Sequence, residues 1–270
     1  MAQLPEQPPK GMSDRTAVKP SSSSENPLIV QHGERAFICG MTGSGKTTFA
    51  IWQLMHIEQS PIIIYDTKGE PKFEALPASV VVEDFPSILK AIQKDEHDYI
   101  IVRPPADVFT SPERLDKLLM EHYLYLQGHV AYIDEVATFH RNAITGTGLA
   151  NLLQRGRSKG ITLIMSTQRP ARISRSCVSE SQKFFIFRLR DRRDRKIFDE
   201  IIEEYSKLYN PPKHYFYFDE DDGEKPVLYR PVKLEAEFDT GYTDGSQSSG
   251  DADPKKETPR ERALKKETWI

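Results

Sequence analysis

The residues with the plainest chemical purpose lie between positions 35 and 48, which read Arg-Ala-Phe-Ile-Cys-Gly-Met-Thr-Gly-Ser-Gly-Lys-Thr-Thr. Gly40, Met41, Thr42, Gly43, Ser44, Gly45, Lys46 and Thr47 fit the phosphate-binding pattern G-x-x-x-x-G-K-[ST], and Thr48 continues it into a helical stretch. Glycines let such a backbone curl until successive N–H groups face one anion. The helix that follows adds its positive N-terminal end. Lys46 is then expected to reach the β- and γ-phosphates of ATP, and the Thr47 hydroxyl to ligate Mg²⁺. A second motif, Val130-Ala131-Tyr132-Ile133-Asp134-Glu135, ends an apolar run on two acids. A buried strand would carry Asp134 to the carboxyl end of a sheet, beside the loop, where it can hold the Mg²⁺ shell. Glu135, one residue on, can polarise an attacking water as a general base.

Further candidates follow. Gln168 ends Ser166-Thr167-Gln168 after another apolar run. It could contact the γ-phosphate and report hydrolysis, or be an ordinary strand-end amide. Arg155-Gly156-Arg157 precedes that run. Arg157, ahead of Arg155, could serve a neighbouring subunit as an arginine finger, or both could cap helix carbonyls. From residue 155 to 196, thirteen Lys and Arg meet only Glu180, Asp191 and Asp194, a local balance of +10 in a chain of net charge -3. That imbalance suits a phosphate backbone, unless pairs such as Asp191/Arg195 are intrahelical salt bridges. No zinc-finger, RRM or helix-turn-helix pattern is present, so sequence-specific reading is unsupported. The 7 histidines lack metal-ligand spacing, and there is no Gly-x-Ser-x-Gly elbow.

The elements that must position these groups alternate. Apolar runs at 36–39, 62–66, 80–82, 99–102, 129–133, 161–165 and 184–187 read as strands. Helical patterns fall at 49–57, 87–94, 112–127 behind an Ser111 cap, and 149–157 with Gly160 as its stop. A stripe of Ile197, Phe198, Ile201, Ile202, Tyr205 and Leu208 predicts one further helix. Runs at 215–218 and 227–229 flank Asp221-Asp222-Gly223 and predict a C-terminal β-hairpin. Strand–helix alternation of this length implies an α/β fold, a mostly parallel sheet with helices on both faces. The 270 residues suffice for one substantial core. Residues 1–27, rich in Pro and Ser, read as a disordered arm, 28–238 as the ATPase domain, and 239–270 as a polar tail. Cys39 sits in the strand before the loop, which argues against a disulfide and fits a reducing, cytoplasmic setting. No run approaches the ~20 apolar residues of a membrane span.

Taken together these motifs resemble the FtsK–HerA superfamily of DNA-pumping ATPases. Residues 40–47 are similar to its G-x-T-G-S-G-K-[ST] loop. Asp66-Thr67-Lys68-Gly69-Glu70 is similar to its D-x-K-G-E stretch, Ile133-Asp134-Glu135 to its hydrolysis motif. Gly156-Arg157-Ser158-Lys159-Gly160-Ile161 and Ser166-Thr167-Gln168-Arg169-Pro170 resemble its G-R-x-x-G-I … S-T-Q-R-P signature. The resemblance covers roughly residues 28–208. It implies a RecA-like P-loop NTPase core that works as a homo-oligomeric ring around double-stranded DNA. Lys46 and Thr47 would bind phosphate and Mg²⁺, Asp134 the metal, Glu135 the water. Gln168 would be the sensor and Arg157 the finger in trans. The chain as given leaves no room for an N-terminal barrel, a membrane anchor or a nuclease domain. It is expected to be a nearly bare motor, like viral genome-packaging ATPases, with a portal or capsid-vertex protein as a further partner and a place in the host cytoplasm or the virion. A plasmid or cellular DNA-mobilisation ATPase and a nucleotide-dependent assembly ATPase without a DNA track stay open as alternatives. A small-molecule P-loop kinase fits poorly, since it would not want a water-activating base beside the γ-phosphate.

Overall fold

A computed structural model describes residues 26–141, 144–202, 205–220 and 225–234. The expected disordered arm, save Asn26 and Pro27, and the polar tail lie outside the described residues, as does the Asp221-Asp222-Gly223 turn. Strand β1 (Arg35–Cys39) leads through the glycine loop into helix α1 (Lys46–His56). There follow β2 (Ile62–Asp66), α2 (Pro71–Glu74), β3 (Ser79–Val82), α3 (Phe85–Lys94) and β4 (Tyr99–Val102). After α4 (Ala106–Phe109) and α5 (Pro112–Tyr125) comes β5 (Val130–Asp134), then a short ribbon of β6 (His140–Arg141) and β7 (Ile144–Thr145). The remainder is α6 (Thr147–Arg155), β8 (Thr162–Thr167), α7 (Arg175–Ser179), β9 (Lys183–Phe187), α8 (Arg192–Asp199), β10 (Phe216–Glu220) and β11 (Val227–Tyr229).

Nine strands form one sheet in the order β11-β10-β9-β1-β8-β5-β2-β4-β3. Strands β1 to β5, β8 and β9 run parallel, whereas β10 lies antiparallel to β9 and to β11. The central strands are apolar throughout because both faces are covered. Alternate residues serve opposite layers: Phe37 and Cys39 face α3, α5, α6, α7 and α8, while Ala36 and Ile38 face α1, α2 and the segment Leu28, Ile29 and Val30.

The expected fold class holds. One helix does not: the apolar stripe from Ile197 to Leu208 breaks when α8 stops at Asp199, and a separate 3-10 turn covers Tyr205–Lys207. Phe198 and Tyr205 are buried, but Ile201 is 36% exposed, so the spacing that suggested one continuous face does not lie on one helix. Met55, within the helical pattern expected at 49–57, likewise stays exposed.

Helix α6 has Gly146 at its N-cap and so no side-chain cap of its own. Asp116 of α5 supplies it, its Oδ2 accepting from Gly148 N at 2.8 Å and its Oδ1 from Leu149 N at 2.9 Å. The two glycines are required because a Cβ at either position would fall 2.2 Å from Asp116 atoms. Removing the carboxylate strands buried N–H groups and a cap, so Asp116→Ala is expected to lower stability by about 1–3 kcal/mol. The measurement is a fall in urea midpoint at unchanged slope.

Candidate active site

Register brings the motifs together. Cys39 at the end of β1 pairs with Thr167 of β8, Ile133 of β5 with Met165 of β8, and Asp134 with Asp66 of β2. The loop after β1, the acids after β5, the amide after β8 and the turn after β2 therefore share one carboxyl edge, where ligands of open α/β sheets bind.

The loop is held tightly. Met41 N donates to Arg188 O at 2.8 Å and Gly40 N to Thr167 O at 3.3 Å. At Gly40 (φ +154°) a Cβ would sit 2.5 Å from Phe187 Cβ, and Gly45 takes φ +105°. Both positions need glycine. Lys46 folds over this cradle, its Nζ donating to the carbonyls of Gly40 at 2.5 Å and Met41 at 3.1 Å. Burial, then the charge of Lys68, lowers its pKa to about 8. The Ser44 hydroxyl is buried with no hydrogen-bond partner among the described residues. Thr47 and Thr48 lie half-buried at the start of α1.

Ser166 organises the acid pair. Its Oγ donates to Asp134 Oδ1 at 2.8 Å and accepts from Glu135 N at 3.3 Å, with the Tyr132 hydroxyl 3.1 Å away. That hydroxyl has one proton and two acceptors in reach, Ser166 Oγ and Asp134 Oδ1, the latter at 3.2 Å. Glu135 itself takes the left-handed backbone, φ +57°, which turns its carboxylate back over β8. Its Oε1 accepts from Thr167 Oγ1 at 2.6 Å and from Gln168 N at 3.2 Å, and its Oε2 from Gln168 N at 3.2 Å and Lys68 Nζ at 2.9 Å. Gln168 also reaches the phosphate loop: Thr42 Oγ1 donates to its Oε1 at 2.6 Å.

Sequence reasoning gave Lys68 no role, although it lay in a quoted motif. Lys68 Nζ bridges both acids, 3.5 Å from Asp134 Oδ2 and 2.9 Å from Glu135 Oε2. Burial pulls its pKa down, but the two carboxylates outweigh that and hold it above the usual lysine value. A braced turn aims it. Asp66 accepts from Lys68 N and Glu70 N, and Arg103 from the end of β4 binds Asp66, Glu74 and the Glu70 carbonyl. The usable signal was Gly69, at φ +68°, which marks a tight turn at a strand end.

Arg157 is not part of this cluster. It lies exposed in the 3-10 turn Gly156–Lys159 that precedes β8, at the opposite edge of the sheet. Six residues of strand separate the two edges, about 20 Å at ~3.3 Å each. Arg155 is the last residue of α6 and also exposed. The last-turn carbonyls of α6 are taken instead by Arg35, which donates to Leu152 O and Leu153 O. Among the described residues no group of three or more His, Cys, Asp or Glu could hold a metal, and no helix is long and apolar enough to cross a membrane.

A phosphate loop between strand and helix, with an acid pair and a polar strand end beside it, defines a P-loop NTPase. No family model matches the chain. It is 30% identical over 166 residues to DNA packaging ATPase P9 of Enterobacteria phage PRD1, a span of 60% of this chain and 67% of that protein. The chain belongs to that family of DNA packaging ATPases. Two solved structures share the fold. The genome packaging NTPase B204 of Sulfolobus turreted icosahedral virus 2, bound to ATP-gammaS, superposes with TM-score 0.59 at 18% identity, covering 74% of this chain and 98% of B204. The pCW3 conjugation coupling protein TcpA superposes with TM-score 0.50 at 16% identity, covering 84% of this chain and 68% of TcpA.

Ser166→Ala removes the hub that aligns both acids but leaves the phosphate loop intact. Turnover is expected to fall at least tenfold while ATP affinity stays within about threefold, since each lost hydrogen bond to a charged group costs ~1.5–3 kcal/mol. Steady-state hydrolysis and nucleotide titration check it.

Proposed function

We propose that the chain is the ATP-hydrolysing motor that drives double-stranded DNA into a viral capsid. The observation that carries this reading is the convergence of Lys46, Asp134, Glu135 and Gln168 on one sheet edge in a member of the packaging family. In it, the backbone of residues 40–45 and Lys46 bind the β- and γ-phosphates of ATP. The partnerless Ser44 hydroxyl and the glycine cradle fit phosphate oxygens. Thr47 and Asp134 offer the hard oxygen donors that Mg²⁺ takes, and those two residues would hold it. When bound, Mg²⁺ neutralises phosphate charge.

Glu135 accepts a proton from the attacking water. Three donors reach its two oxygens, Thr167 Oγ1, Lys68 Nζ and the Gln168 N–H shared between both, which leaves about one of a carboxylate's lone-pair sites for water. Lys68, 39% exposed, is the least confined of the donors. Gln168, bonded both to Glu135 through its N–H and to Thr42 through its side chain, reports the state of the γ-phosphate to the strand end. Arg157, at the far edge, stabilises the developing charge in a neighbouring subunit's site, which requires a homo-oligomeric ring. Function in the host cytoplasm or on the virion, docked to a portal or capsid-vertex protein, completes the proposal.

Glu135→Gln is expected to lower turnover at least a hundredfold with ATP binding kept, in line with loss of a general base. Arg157→Ala and Lys46→Ala are each expected to be inactive, and mixing them to restore activity at interfaces that pair an intact loop with an intact guanidinium. Absence of rescue in mixed assemblies would remove the trans role. Wild-type hydrolysis is expected to rise several-fold with long duplex DNA; a rate indifferent to DNA would leave an ATPase without a track.

A further inference from the structure

The basic segment divides sharply when its side chains are placed. Lys183 is buried and spends its charge on Glu34, Glu220 and the carbonyls of Pro27 and Ile29. Arg195 is buried, bonded to Leu208 O and set over the Tyr205 ring. Arg175 pairs with Glu200, and Arg193 with Asp191. Arg172, Arg190, Arg192 and Lys196 are different: all four are exposed, and none makes an ion pair among the described residues.

These four lie together. Arg172 ends the 3-10 turn Pro170–Arg172, which packs on α8 through Ala171 N donating to Asp194 Oδ1 at 3.0 Å. Arg190 stands just before the Asp191 cap of α8, and Arg192 and Lys196 are one turn apart on that helix. Two acids of the same region are drawn to Arg169. Asp194 is buried, and both it and Asp191 bind Arg169, at 3.2 Å and 2.9 Å. Asp199, the last residue of α8, is exposed and feels the charge of Lys196, so on the outer face cations outnumber acids rather than exclude them. Arg169 directly follows Gln168, whose side chain is bonded to the phosphate loop.

We propose that the exposed face of α8 with its adjoining Pro170–Arg172 turn is the surface on which the phosphate backbone of double-stranded DNA rides, and that Arg169 ties this face to the nucleotide site. The inference rests on the DNA-motor reading and names the surface that serves it. Four unpaired cations without a base-reading motif suit a polyanion held regardless of sequence.

The test uses the full chain with ATP-gammaS and a random-sequence duplex, titrated by fluorescence anisotropy across a salt series. Replacing Arg190, Arg192 and Lys196 together by Gln is expected to weaken binding at least tenfold. It should also flatten the slope of log affinity against log salt by about 2–3, near 0.9 per lost phosphate contact. Lys90→Gln with Lys94→Gln, two exposed cations of α3 near the opposite end of the strand order, should leave the slope unchanged. Retained ATP-gammaS affinity in the triple variant certifies its fold. If wild type binds duplex and the triple variant matches it in affinity and slope, this face is wrong and the motor reading survives. A triple variant that keeps the slope but loses self-association makes the face a subunit contact, which also overturns the proposal. A wild type without salt-dependent binding sinks the motor reading and the face with it. Arg169→Gln should keep the slope yet lose at least fivefold of the DNA stimulation of hydrolysis; stimulation equal to wild type breaks the proposed tie.

Discussion

Two carboxylates on consecutive residues at the rim of a buried sheet are the constraint the site is built around. Unit charges ~4 Å apart at an effective permittivity of 20 interact by about 4 kcal/mol, so Asp134 and Glu135 cannot simply sit side by side. The left-handed turn at Glu135 swings one acid over β8 while the other stays on β5. Lys68 then sets one cation between them, and Ser166 links the first acid to the backbone of the second. The Asp66 turn and Arg103 hold the backbone of Lys68 in place. Strand β8 matters for the same reason. Lying between β1 and β5, it supplies Ser166, Thr167 and Gln168 to the gap between loop and acids.

Charge follows a similar economy. Net charge says little here, because the cations of the basic segment divide between buried, paired and exposed positions. Lys183 and Arg195 are structural and buried. Arg169 neutralises two aspartates at the start of α8. The Asp191/Arg195 salt bridge, the alternative reading of the basic segment, does not form: Asp191 binds Arg169 and Arg193, while Arg195 turns into the core.

Much of this was legible beforehand where one residue type had one physical use. The glycine loop, the strand ending on Asp134 and the Ser111 cap all came through because backbone geometry or apolar runs dictated them. The continuous helix expected from Ile197 to Leu208 failed because spacing alone cannot tell a helix from a helix followed by a turn, when both bury Phe198 and Tyr205. The hold on Glu135 was out of reach for another reason. Lys68, Thr167 and Glu135 meet only through strand order, and β8 entering between β1 and β5 is not written in any local pattern.

Asn26 and Leu234 bound the described chain, and both belong to the layer that carries α1. Leu28 to Val30 pack under that helix, where Gln53 accepts from Val30 N at 3.2 Å, and Val232 and Leu234 join the same apolar cluster. Helix α8 belongs to the other layer. The first and last described segments therefore lie on the side of the sheet away from α8.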